Sequence, residues 1–223
     1  MKPEDFEKCK NASSYDEFIT YILENENLSI NDYNDFIPII FEVCSKRNEK
    51  DPFLMYEKIL EDLRFRWTKT EAFPYHGPWH HIIIGCILLS SLKNIGYNIT
   101  DKMINESLKR GLSIPNCACG FQGVCGAGVG LGITISILFK ATPFHDKERS
   151  NALEGTSLAL TRIAKLGGPR CCKLSGYSTI NLAIKELKRL GYKLPESKNL
   201  NRCNDHQLNP LCLNTKCPYF PRH

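Results

Sequence analysis

The sequence predicts an all-α protein: a helical bundle with a buried glycine-rich central helix and an irregular cysteine-rich C-terminal tail. Three observations lead there. Apolar residues recur at helical spacing along most of the chain, punctuated by capping signals and glycine stops. No stretch alternates apolar and polar residues for long enough to make a strand. The last segment, Pro195 to His223, has no helical period and is rich in Asn, Pro and Cys.

Each element has a local reason. Ser14 and Glu17 make a capping box ahead of YDEFITYILEN. A second helix is expected over Asp32 to Ser45. Asp51-Pro52 gives a cap and a proline at the first helical position of FLMYEKILEDLRFRW. These elements form an acidic helical region, residues 1–66, and residues 67–223 form a helical core with a metal-binding tail. The loop Pro74 to His81 runs into IIIGCILLSSLKN, which Gly96 ends. Thr100-Asp101 caps a short helix up to Arg110, with Gly111 as its stop. Cys117 to Cys125 leads into a helix over Gly126 to Phe139. Thr142-Pro143 is expected to open a long helix to Leu166, closed by Gly167-Gly168-Pro169. Ser175 is expected to cap Gly176 to Leu190, whose last turns carry Lys185, Lys188 and Arg189, where cations suit the helix dipole.

Gly126, Gly128, Gly130 and Gly132 each cost a helix roughly 1 kcal/mol. Their i,i+4 pairing can present flat faces to neighbouring backbones, so a buried helix is expected rather than a ligand-cradling loop.

Composition narrows the class. Hydrophobic residues are 42% and charged residues 24%, ordinary for a globular chain, which excludes disorder and low-complexity classes. The apolar run Val124 to Phe139 is 16 residues, short of the ~20 that a membrane span needs. The start, MKPEDFEKCK, is polar and carries acids as well as bases, unlike a signal peptide, so the expected compartment is the cytoplasm. Residues 1–62 carry a net charge of −8 and residues 63–223 carry +13. The second part is expected to meet something anionic, such as a carboxylate, a phosphate or RNA. Nothing in the basic pattern selects RNA.

Eleven cysteines in a reducing compartment point to metal ligands or catalytic thiols rather than disulfides. Cys203-x8-Cys212-x4-Cys217-Pro218 lies in a segment that cannot hold itself by apolar packing. Three thiolates around a metal would tie it down, and Cys171 or Cys172 is the candidate fourth ligand. A terminal Cys-Pro is also a feature of bacterial ferredoxin ligation, which favours a [4Fe–4S] cluster. Zinc from the same residues is the alternative; only Cys212/Cys217 has the spacing of a zinc knuckle.

Three further groups flank this set. Cys125, after Cys117 and Cys119, stands where backbone amides at a helix start favour a thiolate or a substrate carboxylate. His80 and His81, after His76, stand at another helix start, suited to neutral rings acting as base or ligand. Arg170, with Lys173, could hold a carboxylate. Cys9, Cys44 and Cys86 fall in helical patterns and are expected to be inert.

The stretches HGPWHHIIIG, CGFQGVCGAGVGLGITISI, GGPRCC and the CPYF tail resemble an uncharacterised family of methanogenic archaea and anaerobic bacteria. It is a domain of unknown function, sometimes joined to methyltransferase or radical-type modules. The resemblance covers roughly residues 70–220 and implies no activity. Gly120, Gly123, Cys125, Ala127, Val129 and Gly130, with Gly168-x-x-Cys171, are also similar to motifs of [4Fe–4S]-dependent serine dehydratases and cysteine desulfidases. Cys171-Cys172-Lys173 stands where those enzymes have Cys-Asp-Pro, and the chain is short. That likeness implies a cluster with one open iron acting on a small substrate.

The expected function is therefore a [4Fe–4S]-dependent lyase, desulfidase or sulfur-transfer enzyme. Its substrate would be small and anionic or sulfur-containing. His80 or His81 would move the proton, Arg170 would hold the carboxylate, and Cys125 would border the site. One alternative is a non-catalytic module, stapled by iron–sulfur or zinc, that docks on a methyltransferase or redox partner. Another is RNA sulfuration.

Overall fold

The computed structural model describes residues 3–70, 72–195 and 202–221. Among them are ten α-helices and no strand. They are α1 (Pro3–Lys10), α2 (Tyr15–Glu26), α3 (Ile30–Ser45), α4 (Pro52–Arg66), α5 (Trp79–Asn94), α6 (Asp101–Leu112), α7 (Ala118–Phe121), α8 (Gly126–Leu138), α9 (Lys147–Leu166) and α10 (Cys172–Arg189). The expected all-α bundle is the fold. The described residues of the tail carry two 3-10 turns, His206–Leu208 and Asn214–Lys216. Residues 196–201 and 222–223 of that tail lie outside the described residues. No helix among the described residues is long and apolar enough to cross a membrane.

Two helices sit at the centre, and both are apolar on every face. α5 is buried continuously from Trp79 to Leu92. α8 packs most extensively on α9 and α5, with α6 and α10 completing its surroundings. A helix apolar all round has no solvent face and must be enclosed. Core residues of α3 and α4 (Phe36, Ile40, Tyr56, Ile59) join those of α5, α8 and α10 in one cluster.

The glycines of α8 divide between two neighbours. Gly126 and Gly130 face α5, and Gly128 and Gly132 face α9. A Cβ on Gly130 would lie 2.7 Å from Ile84 Cβ, and one on Gly132 would lie 2.8 Å from the Ala152 carbonyl oxygen. The glycines therefore bring backbones together, as the i,i+4 pairing predicts.

Several boundaries differ from expectation, each for a local reason. α3 begins at Ile30, because Ser29 and Asp32 form a full capping box. Gly111 lies inside α6 rather than ending it: the helix crosses α5 there, and a Cβ would meet the His81 carbonyl oxygen at 2.7 Å. α9 starts at Lys147, since the Thr142 amide donates to His145 Nδ1 at 3.2 Å and closes a turn instead. α10 starts four residues ahead of Gly176: the Cys171 sulfur accepts the Leu174 amide at 3.4 Å and so replaces Ser175 as the cap.

Gly132→Ala is expected to destabilise the protein by about 1–3 kcal/mol, because overpacking exceeds the ~1 kcal/mol gained in helix propensity. Gly120→Ala, with open space around its Cβ, is expected to be neutral or mildly stabilising. Thermal unfolding of the two variants checks this, and a Gly132→Ala protein more stable than the parent would contradict the close packing of α8 on α9.

Candidate functional site

The site begins at the turn between α9 and α10. Gly167 (φ 62°) and Gly168 (φ 80°) take left-handed backbone that L side chains rarely adopt. A Cβ on Gly168 would also strike Leu213 of the tail. The turn presents Arg170, Cys171 and Cys172 in succession. Cys171 is the extended N-cap and Cys172 the first helical residue, and they meet different surroundings.

Cys171 lines a small cavity of about 20 Å³ together with Cys203, Cys212 and Cys217. All three predicted tail ligands and one of the two candidate fourth ligands thus border one space. Tyr75, Tyr177, Tyr219 and Phe220 wall it in. The tail is shaped for this: the Cys203 amide donates to the Tyr219 carbonyl at 2.7 Å, and the Cys217 amide to that of Asn214 at 2.8 Å. Tyr75 Oη lies 3.5 Å from the Cys171 sulfur. Burial pushes up the thiols of Cys171 and Cys217, and that of Cys203 to about 11. Thiolates crowded here repel one another, so a cation is the partner that would let them ionise together.

Among the described residues, no three His, Cys, Asp or Glu side chains are gathered to hold one metal ion. The four sulfurs surround a space without converging on a point. The donor set, cysteine with aromatic walls, suits iron–sulfur or zinc chemistry. The cavity volume is about that of one water site, so a cluster requires the tail to move outward.

One buried cation pins the tail. Lys173 is 1% exposed and pairs with Glu57 of α4 at 2.8 Å and with Asp205 of the tail. Arg64 of α4 also pairs with Asp205. Burial would raise the Asp205 carboxyl, but Arg64 and Lys173 outweigh it and hold it below the ordinary range. Tyr177 donates to Glu57 at 2.7 Å and stacks on Tyr219 at 5.1 Å.

Cys172 faces a second, larger cavity of about 330 Å³, within the size range of small-molecule sites. Cys119, Cys125, His81, Arg170 and Cys171 line it too. Arg170 Nε donates to the Cys172 sulfur at 3.5 Å, and Nη1 to the Cys117 sulfur at 3.3 Å. Burial alone would raise the Cys172 thiol, but Arg170 and a hydrogen bond from His76 bring it down to about 6. Cys117 behaves oppositely: burial pushes it up to about 11 against the pull of Arg170. Its backbone is left-handed (φ 61°), with Asn116 Oδ1 accepting its amide at 3.0 Å.

The histidines separate. His80 is enclosed, with Nδ1 2.7 Å from Tyr56 Oη and Nε2 3.2 Å from the Tyr75 carbonyl oxygen, so both nitrogens are occupied. His81 is 5% exposed, meets the Ile114 carbonyl through one nitrogen, and has no partner on Nδ1. Both rings are held neutral chiefly by burial, His81 at about 4, rather than by the helix end alone.

A family model described as "Family of unknown function (DUF5714)" matches residues 40–220, more than half the chain. The chain belongs to this family. The DUF5714 segment opens within α3 and includes α4, both cavities and the tail. No curated protein and no solved structure matches the chain.

Of the predicted site residues, the structure brings His80, His81, Cys125, Arg170 and Cys172 to the second cavity, and Cys203, Cys212 and Cys217 to the first. Cys171 borders both. Cys44 and Cys86 are buried in the core beside one another, as expected. Sequence reasoning missed Glu57, Asp205, Tyr75 and Tyr177. Nothing in their spacing marks them; each acts through a partner more than 30 residues away.

Asp205→Asn should loosen the tail while the bundle stays folded, because Lys173 keeps Glu57. Limited proteolysis should cut the tail severalfold faster, with a stability loss below the ~3–5 kcal/mol of a fully broken buried pair. The His81 shift gives a second expectation. Its folded pKa is below the ordinary ~6.5, so the unfolded chain binds the extra proton, and stability falls as pH drops from ~6.5 toward 4. Its share is about 3 kcal/mol, and His81→Asn should flatten the melting-temperature profile between pH 7 and pH 5.

Proposed function

We propose that this chain is an iron–sulfur enzyme of the lyase, desulfidase or sulfur-transfer type, acting on a small anionic or sulfur-containing substrate. The observation that carries the reading is that Cys171, Cys203, Cys212 and Cys217 all border one cavity, with a substrate-sized cavity sharing Cys171. Cys203, Cys212 and Cys217 would hold the cluster; without Cys171 as a fourth ligand it would supply a Lewis-acidic iron, and with Cys171 bound it would supply redox chemistry.

The protein's own groups there match the substrate class. Arg170 supplies the positive charge that favours an anion. The bare Nδ1 of His81 is the proton acceptor, while His80 holds Tyr56 and the Tyr75 backbone in place. Burial behind α5 and α8 limits water on that side. Cys125, half-buried at the start of α8, borders the substrate space.

A second reading has its own support. The water-sized cavity suits a single zinc ion better than a cluster. The tail would then be a closed staple and the protein a docking module.

Metal analysis of anaerobically purified protein separates these. The expected result is about four iron and four sulfide per chain, lost in Cys212→Ser and retained in Cys119→Ser. One zinc per chain in place of iron would establish the staple. Protein without metal, with a tail equally protease-resistant in Cys212→Ser, would overturn both readings.

A further inference from the structure

We propose that the cavity beside Arg170 is a sulfane-sulfur site, in which Cys172 takes up the outer sulfur of a small persulfide or thiosulfonate anion. The inference develops the sulfur-transfer side of the proposed function and needs only the second cavity, not the metal.

Four features carry it. First, the thiols of Cys119, Cys125 and Cys172 line the cavity, and no carboxylate does. Second, one guanidinium already spans two sulfurs, Cys172 at 3.5 Å and Cys117 at 3.3 Å. Two of its nitrogens, Nε and Nη1, are thereby turned to sulfur. A persulfide on Cys172 adds one sulfur beyond the atom that Arg170 already holds and leaves that contact in place. Third, Cys119 is exposed and Cys125 half-buried, so thiols stand from the surface inward to buried Cys172. Fourth, His81 is buried, lines the same cavity and has an unpartnered Nδ1, an acceptor for the proton of a hydropersulfide.

The step balances without an external oxidant. The Cys172 sulfur forms a bond to the outer sulfur of R–S–S⁻, the donor S–S bond breaks, and R–S⁻ leaves with the bonding pair. With thiosulfate, sulfite leaves. Cys172 ends as a persulfide, and a later thiol can take the outer sulfur by the same exchange.

The test uses the full chain, reduced and anaerobic, treated separately with thiosulfate and with glutathione persulfide, then alkylated and digested with trypsin. Arg170 and Lys173 bound a peptide containing only Cys171, Cys172 and Lys173. One added sulfur atom is expected on this peptide in the wild type and in Cys171→Ser. Uptake should fall roughly tenfold or more in Arg170→Gln, read on its longer tryptic peptide of residues 166–173, because the charge-assisted contact is removed, and vanish in Cys172→Ser. Uptake from only one of the two donors identifies which class of anion the site accepts. Added sulfur confined to Cys119 or Cys125 in the wild type would overturn the proposal whether or not any variant folds. Cys212→Ser separates the two readings: uptake persisting while iron is lost supports a site independent of the tail centre, and uptake lost with the iron overturns it.

Discussion

The structure around the cysteines depends on one buried cation. Lys173 is almost without solvent, and its ammonium has Glu57 on one side and Asp205 on the other. A lone charge in that position would cost several kcal/mol, so both carboxylates are required partners. Glu57 comes from α4, Asp205 from the tail and Lys173 from the first turn of α10. Three segments distant in sequence are therefore held at one point. The Lys173 side chain adjoins the cysteine turn, so the same contact sets where Cys203 stands relative to Cys171. The acidic N-terminal region thus supplies counter-charge to the basic remainder from within the core, not only from its surface.

A second constraint acts from the opposite side. The turn that offers Arg170, Cys171 and Cys172 hangs from α9, and α9 approaches α8 closely only because Gly128 and Gly132 leave room. α8 in turn lies against α5 through Gly126 and Gly130, at the level of His81 and Ile84. Helix spacing is therefore transmitted to the cavity: His81, Cys125 and Arg170 come from three helices or their ends, and the glycines fix the distances among those helices. The roughly 1 kcal/mol that each glycine costs in helix propensity is offset by this packing.

Much of this was legible in the sequence, and the parts that were not share a cause. The glycine helix, the caps at Ser14, Asp51 and Thr100, and the tail cysteines are local signals, readable within a few residues. The start of α10 was not, because a cysteine sulfur acts as its cap and Ser175 offers a more familiar one. Gly111 reads as a stop until α5 is known to cross it. The distinction between His80 and His81 depends on Tyr56 and Ile114, both distant in sequence, and on which ring the Tyr75 carbonyl five residues before His80 reaches. Charge pairing was visible only as an imbalance between two halves of the chain. That imbalance identified no residue, since Glu57 and Asp205 look like any other acidic residues until the fold surrounds them.

Two adjacent cysteines serving different cavities follow from where the helix begins. An N-cap residue is extended and the next is helical, so their side chains leave the backbone in different directions. Here Cys171 (φ −140°, ψ 98°) borders the tail cavity, and Cys172 turns to Arg170 and His76. Had the helix begun at Ser175, both cysteines would lie in loop and nothing would divide their roles. The electrostatics divide them as well. Cys171 has Tyr75 and other sulfurs near it and is pushed up by burial, whereas Cys172 has a cation and is brought down. Burial disfavours the thiolate of the first, and the neighbouring Arg170 favours that of the second. One peptide bond thus separates two environments, which is why the proposed metal centre and the proposed sulfur-accepting thiol stand side by side rather than in a single larger site.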